Sequence, residues 1–276
     1  MESKALLHTA GQFEHRPIQT VLVRANGPLF YSVVIASLLE AIASLSAQRL
    51  LNFVRNDRAL SDWVLAEWLP RKAVRAQALQ EYVEKMWPEF DWAGAYEQYR
   101  ACAEADGGLG PRRATAAHEL LARCVAAAQA GLFYRCLARW ADDPGLREMG
   151  RAMAQSEAGS FTELRGAYER RACMQRFGFA AAWRTALGCI RTARDTHVQL
   201  AFRAISAQCG AHVPFPILQY GEFIARMRPV IERYGDLGTP ERVLLRPWKK
   251  RPLRIRIEEK KHCVPDWFKP FFKEAA

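Results

Sequence analysis

One stretch in the middle of the chain, residues 67–92, limits most strongly what this sequence can fold into. It reads EWLPRKAVRAQALQEYVEKMWPEFDW, and its apolar spacing predicts one long helix that ends at Trp87 and Pro88. Three- and four-residue steps place on one face of this helix Trp68, Arg71, Lys72, Arg75, Leu79, Tyr82 and Met86. That face is apolar except for the cations in its middle, and a buried cation is very costly unless it is paired or hydrogen-bonded. The sequence therefore predicts acidic side chains opposite this helix.

Composition narrows the class of protein. The chain has 276 residues, of which 50% are hydrophobic, enough for a large helical domain with an extension. Seven scattered cysteines without a C-x-x-C pair indicate a reduced cytoplasmic protein and disfavour a zinc site. No signal peptide is visible at the N-terminus. The net charge of +11 suits an acidic partner, nucleic acid or anionic lipid, but both charge signs alternate, which is typical of solvated helix faces.

An apolar run over residues 28–54 follows a mixed N-terminal arm, residues 1–27, that we expect to be irregular or extended. The run is long enough to span a membrane. Glu40 lies in its middle, however, and the run also contains the polar residues Gln48, Arg49 and Asn52. Because a central carboxylate is costly in lipid, the run predicts a buried helix of a cytoplasmic bundle and no membrane span.

Caps and breakers set the predicted boundaries along the rest of the chain. Asn56 and Asp57 are predicted to end the first helix, and Ser61 or Asp62 to cap the central helix. The glycine-rich stretch over residues 106–113 predicts a loop. Further helices are predicted over residues 93–105, 115–140, 144–171, 175–208 and 220–233.

Residues 211–276 are predicted to form a basic, aromatic C-terminal extension of mixed helical and extended structure. Leu253, Ile255 and Ile257 alternate with arginines in its charged tail, which predicts an extended segment with one apolar face. We expect this segment to pack on the helices as a strap or to dock an acidic protein partner. A nucleic-acid partner is disfavoured because no nucleic-acid-binding motif accompanies the charge.

Two helical hairpins, residues 28–87 and 115–171, share a layout of long helix, short polar break and second long helix. They resemble the ferritin-like superfamily of diiron-carboxylate proteins, nearest to acyl-carrier-protein-desaturase-like and related bacterial ferritin-like proteins. The resemblance covers residues 30–205 and rests on ALQEYV at 78–83, WPEFDW at 87–92, ARCV at 122–125, FYRCLA at 133–138 and DPGLR at 143–147. It implies an all-α fold: the two hairpins form a ferritin-like four-helix bundle, to which a fifth long helix is added. Together they make up a domain over residues 28–210.

The same resemblance locates the positions that would hold metal. Such proteins place a Glu on one helix of each hairpin and E-x-x-H on the other, with two irons between them. In this chain the corresponding positions are Glu40, Lys72, Arg75, Ala127, Glu157 and Ser160. Lysine and arginine are protonated and alanine has no donor atom, whereas iron in such sites needs carboxylate and imidazole donors. The resemblance therefore implies a diiron centre that has been lost.

The two surviving carboxylates would face two cations. Glu40, Lys72, Arg75 and Glu157 would then form a neutral cluster in place of the metals, and removing one partner from such a buried pair typically costs about 3–5 kcal/mol. The alternative is that Lys72 and Arg75 extend to the edge of the bundle. Their position on the apolar face favours the internal cluster.

Three functions are open at this point. The first is a non-catalytic scaffold or inactive partner of an active ferritin-like relative, in a homodimer or heteromer and without a cofactor. The second is an oxidase or hydroxylase for a hydrophobic substrate, with iron bound through Glu40 and Glu157 and perhaps joined by Glu67 or Glu163. The third is a binding module whose cationic core holds an organic anion.

Overall fold

The protein is built from helices. The computed structural model describes residues 17–105, 115–174, 179–192, 197–210 and 213–235. Within these ranges every regular element is helical and no β-strand occurs, which confirms the predicted all-α class. The elements are α1 (Pro17–Ala25), α2 (Gly27–Ala41), α3 (Ala43–Val54), α4 (Arg58–Trp63), a π-helical turn (Val64–Trp68), α5 (Leu69–Met86), α6 (Trp92–Ala105), α7 (Ala116–Trp140), α8 (Pro144–Met174), α9 (Phe179–Thr192), α10 (Val198–Gln208) and α11 (Tyr220–Tyr234).

The N-terminal part of the chain differs from the prediction in two places. Residues 17–25 form α1 instead of an irregular or extended arm. The apolar run over residues 28–54 is divided at Ile42 into α2 and α3, which are bent relative to each other by 43°. Sharp bends usually occur at proline or glycine, and neither residue is present at this bend. The sequence therefore gave no signal for it.

The central helix begins earlier than predicted. Asp57, rather than Ser61 or Asp62, caps its first turn by accepting a hydrogen bond from the backbone N–H of Leu60 at 3.2 Å. The chain then stays helical through α4, the π-helical turn and α5 as far as Met86. The predicted end of this helix is confirmed, and its N-terminal boundary was wrong.

Pro70 lies in the first turn of α5, directly after the π-helical turn. Proline has no N–H to donate and its ring clashes with the preceding turn of an ordinary α-helix. Here the preceding turn is wider, because the backbone N–H of Leu69 donates to the carbonyl of Val64, five residues earlier. The π-helical turn thus allows the helix to continue through Pro70.

The second hairpin agrees closely with its prediction. α7 begins after Thr115, whose hydroxyl accepts a hydrogen bond from the backbone N–H of His118, and ends at Trp140. Asp143 accepts a hydrogen bond from the N–H of Leu146 at 2.8 Å and so caps α8. Both start signals follow the preference of Thr and Asp for N-cap positions. α8 continues to Met174, three residues past its predicted end.

Other predictions fall partly or wholly outside the described residues. The range 175–208, predicted as a fifth long helix, contains α9 and α10, while residues 175–178 and 193–196 are not described. The predicted loop at 106–113 and the charged tail beyond residue 235 also lie outside the described ranges. Helix α11 confirms the helix predicted over residues 220–233.

Helix pairs form the body of the protein. α2 packs along α5, and α7 packs along α8. α3 contacts both α5 and α7, so it connects the two pairs. α10 packs on α6 and α2, whereas α11 lies against α7 and α2. The first helix of the predicted C-terminal extension therefore packs on the body.

The apolar core is divided into two clusters. One contains residues of α2, α5, α6, α10 and α11 with neighbouring parts of α7 and α8, and includes Phe30, Tyr31, Leu79 and Trp87. The other joins α3, the π-helical turn and the remaining parts of α7 and α8, and includes Leu50, Trp68, Leu120 and Phe161. Along α5, Lys72 and Arg75 lie between members of the two clusters, and Glu157 does so along α8. The buried charges thus lie at the level where the two clusters meet.

Among the described residues, one helix, α7, is long and apolar enough to cross a membrane, and so is the bent pair α2–α3 if the two helices form one span. In α7, 61% of the apolar stretch is buried inside the protein. Core helices of soluble proteins meet the same criteria, so one or two such helices are weak evidence for a membrane span.

Candidate functional site

Four charged side chains from three helices meet inside the protein. Glu40 belongs to α2, Lys72 and Arg75 to α5, and Glu157 to α8. Lys72 Nζ lies 2.7 Å from Glu157 Oε1 and 3.2 Å from Glu40 Oε2. Arg75 Nη2 lies 2.7 Å from Glu157 Oε1 and 3.3 Å from Glu40 Oε2. Each cation contacts both carboxylates, so the charges of this set, called the core charge cluster below, balance.

The cluster is internal. The side chain of Arg75 is 1% exposed and that of Lys72 is 13% exposed, so these cations do not extend to the edge of the bundle. Arg71, the third cation assigned to the same face, behaves differently: it turns outward and pairs with the exposed Glu67. The inward placement of Arg71 was therefore wrong. It stands one residue before Lys72, which rotates it about 100° away around the helix axis.

The local sequence explains why both cations point the same way. Lys72 and Arg75 are three residues apart, and residues at this spacing are neighbours on one face of an α-helix. They follow the π-helical turn at Val64–Trp68 by about one and two helical turns, respectively. Such π-helical turns occur frequently at functional sites. The extra residue in this turn shifts the rotational position of the following helix relative to α4.

Tyr134 of α7 adds a hydrogen bond to the cluster. Its hydroxyl donates a 2.6 Å hydrogen bond to Glu40 Oε1, and the side chain is buried. With Tyr134 included, each of the four helices α2, α5, α7 and α8 contributes a side chain to one site.

Charge pairing and burial determine the protonation of this site. Burial alone would raise the pKa of Glu157, but Arg75 and Lys72 outweigh it and hold that pKa below its ordinary value. Burial would lower the pKa of Arg75, yet Glu157 and Glu40 raise it. Burial, together with the Glu40 carboxylate, raises the pKa of Tyr134 well above its ordinary value. Glu157 and Arg75 are therefore ionised at neutral pH, and Tyr134 keeps its proton.

A cavity of about 470 Å³ lies beside the core charge cluster. Glu40, Lys72, Glu157 and Tyr134 line one part of it. Apolar side chains from α2, α7 and α11 line much of the rest, among them Ile35, Leu39, Phe133, Phe223, Ile224 and Met227. Ligand sites in proteins are commonly cavities of about 300–1,000 Å³ with mostly apolar walls and a few placed polar groups. This cavity has both properties.

The other two predicted positions carry no charge. Ala127 is buried and lines the cavity. Ser160 is buried one turn beyond Glu157 on α8. Gln129 also lines the cavity. The sequence did not predict that α11 would form part of this wall, because α11 was assigned to the C-terminal extension.

A further buried carboxylate, Glu119 of α7, was missed. It is fully buried and pairs with Arg123 at 2.6 Å and with Arg49 at 3.4 Å. Arg123 also lines the cavity. The sequence signal was the four-residue spacing of Glu119 and Arg123, but pairs at this spacing commonly stabilise solvent-exposed helix faces. Spacing alone therefore did not distinguish this buried pair from an exposed one.

The residues of the cluster do not fit an iron site. Iron in carboxylate-rich sites takes carboxylate and imidazole ligands, whereas here an ammonium and a guanidinium each contact both glutamates. Glu67 and Glu163, considered as extra ligands, are exposed. Within the described ranges, no group of three or more His, Cys, Asp or Glu residues could hold a metal ion.

The cluster also differs from the cationic core considered for anion binding. Its two positive and two negative side chains balance, so by itself it offers no excess charge to an anion.

Comparison of the chain with protein-family models, with curated proteins and with solved structures finds no match.

Proposed function

We propose that this chain is a ferritin-like helical protein without a diiron centre, and that it binds a small, mostly apolar molecule in the cavity beside the core charge cluster. The observation that carries this proposal is the cavity itself. It joins mainly apolar walls from α2, α7 and α11 to a few polar groups on one wall. Such an arrangement orients an amphiphilic molecule, since the apolar part is removed from water while the polar groups select its position.

Two features support the ferritin-like part of the proposal. The helix pairs α2–α5 and α7–α8 correspond to the two predicted hairpins. Four charged positions were assigned one by one from the resemblance: Glu40, Lys72, Arg75 and Glu157. Each of these side chains lies within 3.3 Å of an oppositely charged member of the set. In ferritin-like diiron proteins the corresponding ligands project inward around two irons. In this chain the ion pairs would take the place of the metals in holding the helices together.

A binding role needs only the features that the cavity supplies. The positive and negative side chains of the cluster pair with one another, so the cluster carries no large uncompensated charge. Its polar side chains can still form hydrogen bonds, and such a wall suits a neutral polar group on an apolar molecule. The scaffold or inactive-partner role expected from the sequence is compatible with such binding, because neither role needs a metal.

Filling the cavity tests the proposal. Ala126 lines the cavity and is exposed, so Ala126→Phe is expected to occupy cavity space with little strain in the core. Ala101 on α6 is exposed and does not line the cavity, and Ala101→Phe is the matched control. The probe is Nile red, whose fluorescence rises in an apolar site, displaced by decanol.

We expect the wild type and Ala101→Phe to bind Nile red and to release it on addition of decanol. We expect Ala126→Phe to bind it on the order of tenfold more weakly, because about 1.4 kcal/mol of lost contact corresponds to that factor. Circular dichroism verifies that each variant is folded. Equal binding by all three folded proteins would contradict the proposal, and so would the failure of the wild type to bind either probe.

A further inference from the structure

We infer that Lys72 forms a covalent imine with an apolar aldehyde or ketone bound in the cavity. This inference rests on the proposed function, since the carbonyl compound must first enter the cavity. It adds a chemical class for the ligand and an imine-forming residue. The reaction retains the ligand; it is not an oxidation and involves no metal.

The position of Lys72 carries the inference. Within the described part of the chain, Lys72 is the one lysine that lines the cavity. Its Nζ lies near the apolar wall, 5.7 Å from the centre of the Trp68 ring. Arg75, the other cation of the cluster, is 1% exposed and does not line the cavity. The cluster therefore presents an amine to the cavity and keeps its guanidinium behind.

The neighbours of Lys72 supply the proton transfers that imine formation needs. Glu157 Oε1 lies 2.7 Å from Lys72 Nζ and Glu40 Oε1 lies 3.2 Å from it. A nucleophile within hydrogen-bond reach of a base is a general signature of covalent catalysis. Tyr134 donates its hydrogen bond to Glu40, which keeps that carboxylate in place beside the amine.

The reaction balances without an added reagent. Glu157 accepts a proton from the Lys72 ammonium, and the free amine attacks the carbonyl carbon, so that a C–N bond forms while the π bond of the carbonyl group breaks. The attacking nitrogen then gives one of its two protons to the former carbonyl oxygen. The resulting carbinolamine receives the proton of Glu157 on its hydroxyl group, which leaves as water. The products are a protonated imine and a glutamate carboxylate. The positive charge stays on the nitrogen of Lys72, where Glu40 and Glu157 already lie as counterions.

The charge balance of the site favours this product. The ammonium and the protonated imine each carry one positive charge, so the neutrality of the core charge cluster is preserved throughout. Removing a charge from a buried set of ion pairs would be costly, and imine formation removes none.

Reductive trapping tests the inference in the unmodified protein. The full chain is incubated with decanal and sodium cyanoborohydride, which converts an imine into a stable secondary amine, and the modified lysines are identified by peptide mass spectrometry. Lys85 is the internal control because it is an exposed lysine on the same helix. We expect Lys72 to be labelled on the order of tenfold more than Lys85, because binding makes the reaction effectively intramolecular.

Decanol separates the inference from the proposed function. It has the same apolar chain but no carbonyl group, so it is expected to suppress labelling at Lys72 and to leave labelling at Lys85 unchanged. If decanol displaces Nile red from the cavity while Lys72 is labelled no more than Lys85, the inference fails and the proposed function stands. If neither decanol nor Nile red binds, both fail.

A charge-conserving variant supplies an independent measurement. Lys72→Arg keeps the positive charge of the cluster, but a guanidinium does not form the imine. Decanal is supplied to each protein at a concentration that saturates its cavity, as judged by displacement of Nile red. Under that condition we expect the variant to release decanal on dilution, whereas the wild type keeps it. Equal retention of decanal by the wild type and Lys72→Arg after trapping would overturn the inference.

Discussion

Individual residues of α5 differ in role according to what surrounds each of them. Lys72 contacts both carboxylates and lines the cavity. Arg75 contacts the same carboxylates from within the core, whereas Arg71 pairs with Glu67 at the surface. Their chemistry is similar and they lie within five positions of one another. The environment contributed by α2 and α8 therefore decides which cation belongs to the site.

A double-mutant cycle measures the coupling of Lys72 to Glu40. Lys72→Met alone leaves the carboxylates short of a cation, and removing one partner of a buried pair costs about 3–5 kcal/mol. Lys72→Met with Glu40→Leu restores the charge balance with Arg75 and Glu157, so we expect much of the loss to be recovered. The measurement is the free energy of unfolding by chemical denaturation, with an expected coupling of about 1 kcal/mol or more.

The control for this cycle is Lys85→Met, on the exposed side of the same helix. Its effect is expected to lie within about 0.5 kcal/mol, as for most surface substitutions. Strictly additive effects of Lys72→Met with both Glu40→Leu and a change at Glu157 would mean that the core charge cluster does not stabilise the fold.

Acid should weaken the fold through Glu157. Its pKa is lower in the folded protein than the ordinary value, which is about 4.3 for a glutamate in an unfolded chain. The contribution of Glu157 is therefore fully present above that pH and is lost as the pH falls through the folded pKa. We expect the free energy of unfolding to decline below about pH 4.3, and less steeply in Glu157→Gln. Identical slopes of stability against pH in the two proteins would refute this assignment.

At the scale of elements, caps and helix type determine where the charged face points. Asp57 starts the helical stretch that becomes α5, and the π-helical turn carries it past Pro70. A helix begun at Ser61 or Asp62, as the sequence suggested, would lack α4. α4 and the π-helical turn bury Leu60, Val64 and Trp68 in the second core cluster. These contacts hold the N-terminal end of α5 in place.

Substitution of the cap tests this boundary. Asp57→Ala removes the acceptor for the Leu60 N–H and is expected to lower the free energy of unfolding by about 1 kcal/mol, the usual value for an N-cap carboxylate. Asp62→Ala is the matched control, since Asp62 is exposed and pairs only with the exposed Arg58 among the contacts described. A larger loss for Asp62→Ala than for Asp57→Ala in the same denaturation measurement would restore the original boundary.

At the scale of the whole molecule, the iron content distinguishes the proposed binder from an oxidase. We expect protein purified from cells grown with abundant iron to contain far less than one iron per chain, because the cations of the cluster occupy the contacts of both glutamates. Elemental analysis and the absence of diiron charge-transfer absorption are the measurements. A stoichiometry near the two irons of active ferritin-like proteins, lost on substitution of Glu40 and Glu157, would contradict the proposed loss of the metal centre.

The charged tail is the other prediction at this scale, and it concerns residues outside the described ranges. The alternation of Leu253, Ile255 and Ile257 predicts that one face of the tail covers apolar surface. We expect deletion of residues 242–276 to lower solubility and to leave the far-ultraviolet circular dichroism of the helices intact. Unchanged solubility and melting temperature would favour a tail that engages a protein partner instead.

The sequence by itself determined the class of elements, most of their ends and the need for buried acidic partners. Helical spacing is a local property with a period of 3.6 residues, so it predicted the helices of the second hairpin and the face shared by Lys72 and Arg75. It also predicted that cations on an apolar face require carboxylates. The start of α7 was predicted correctly near Thr115, which caps it.

The tertiary structure decided which groups meet. The bend at Ile42, the outward turn of Arg71, the burial of Glu119 and the placement of α11 over the cavity all depend on how separate helices pack against one another. Periodicity predicts which residues share one face of a helix. The axial position of one helix relative to its neighbour is set by contacts between residues far apart in the chain. The contacts of Glu40 and Glu157 with Lys72, and the hydrogen bond from Tyr134, exist for that reason.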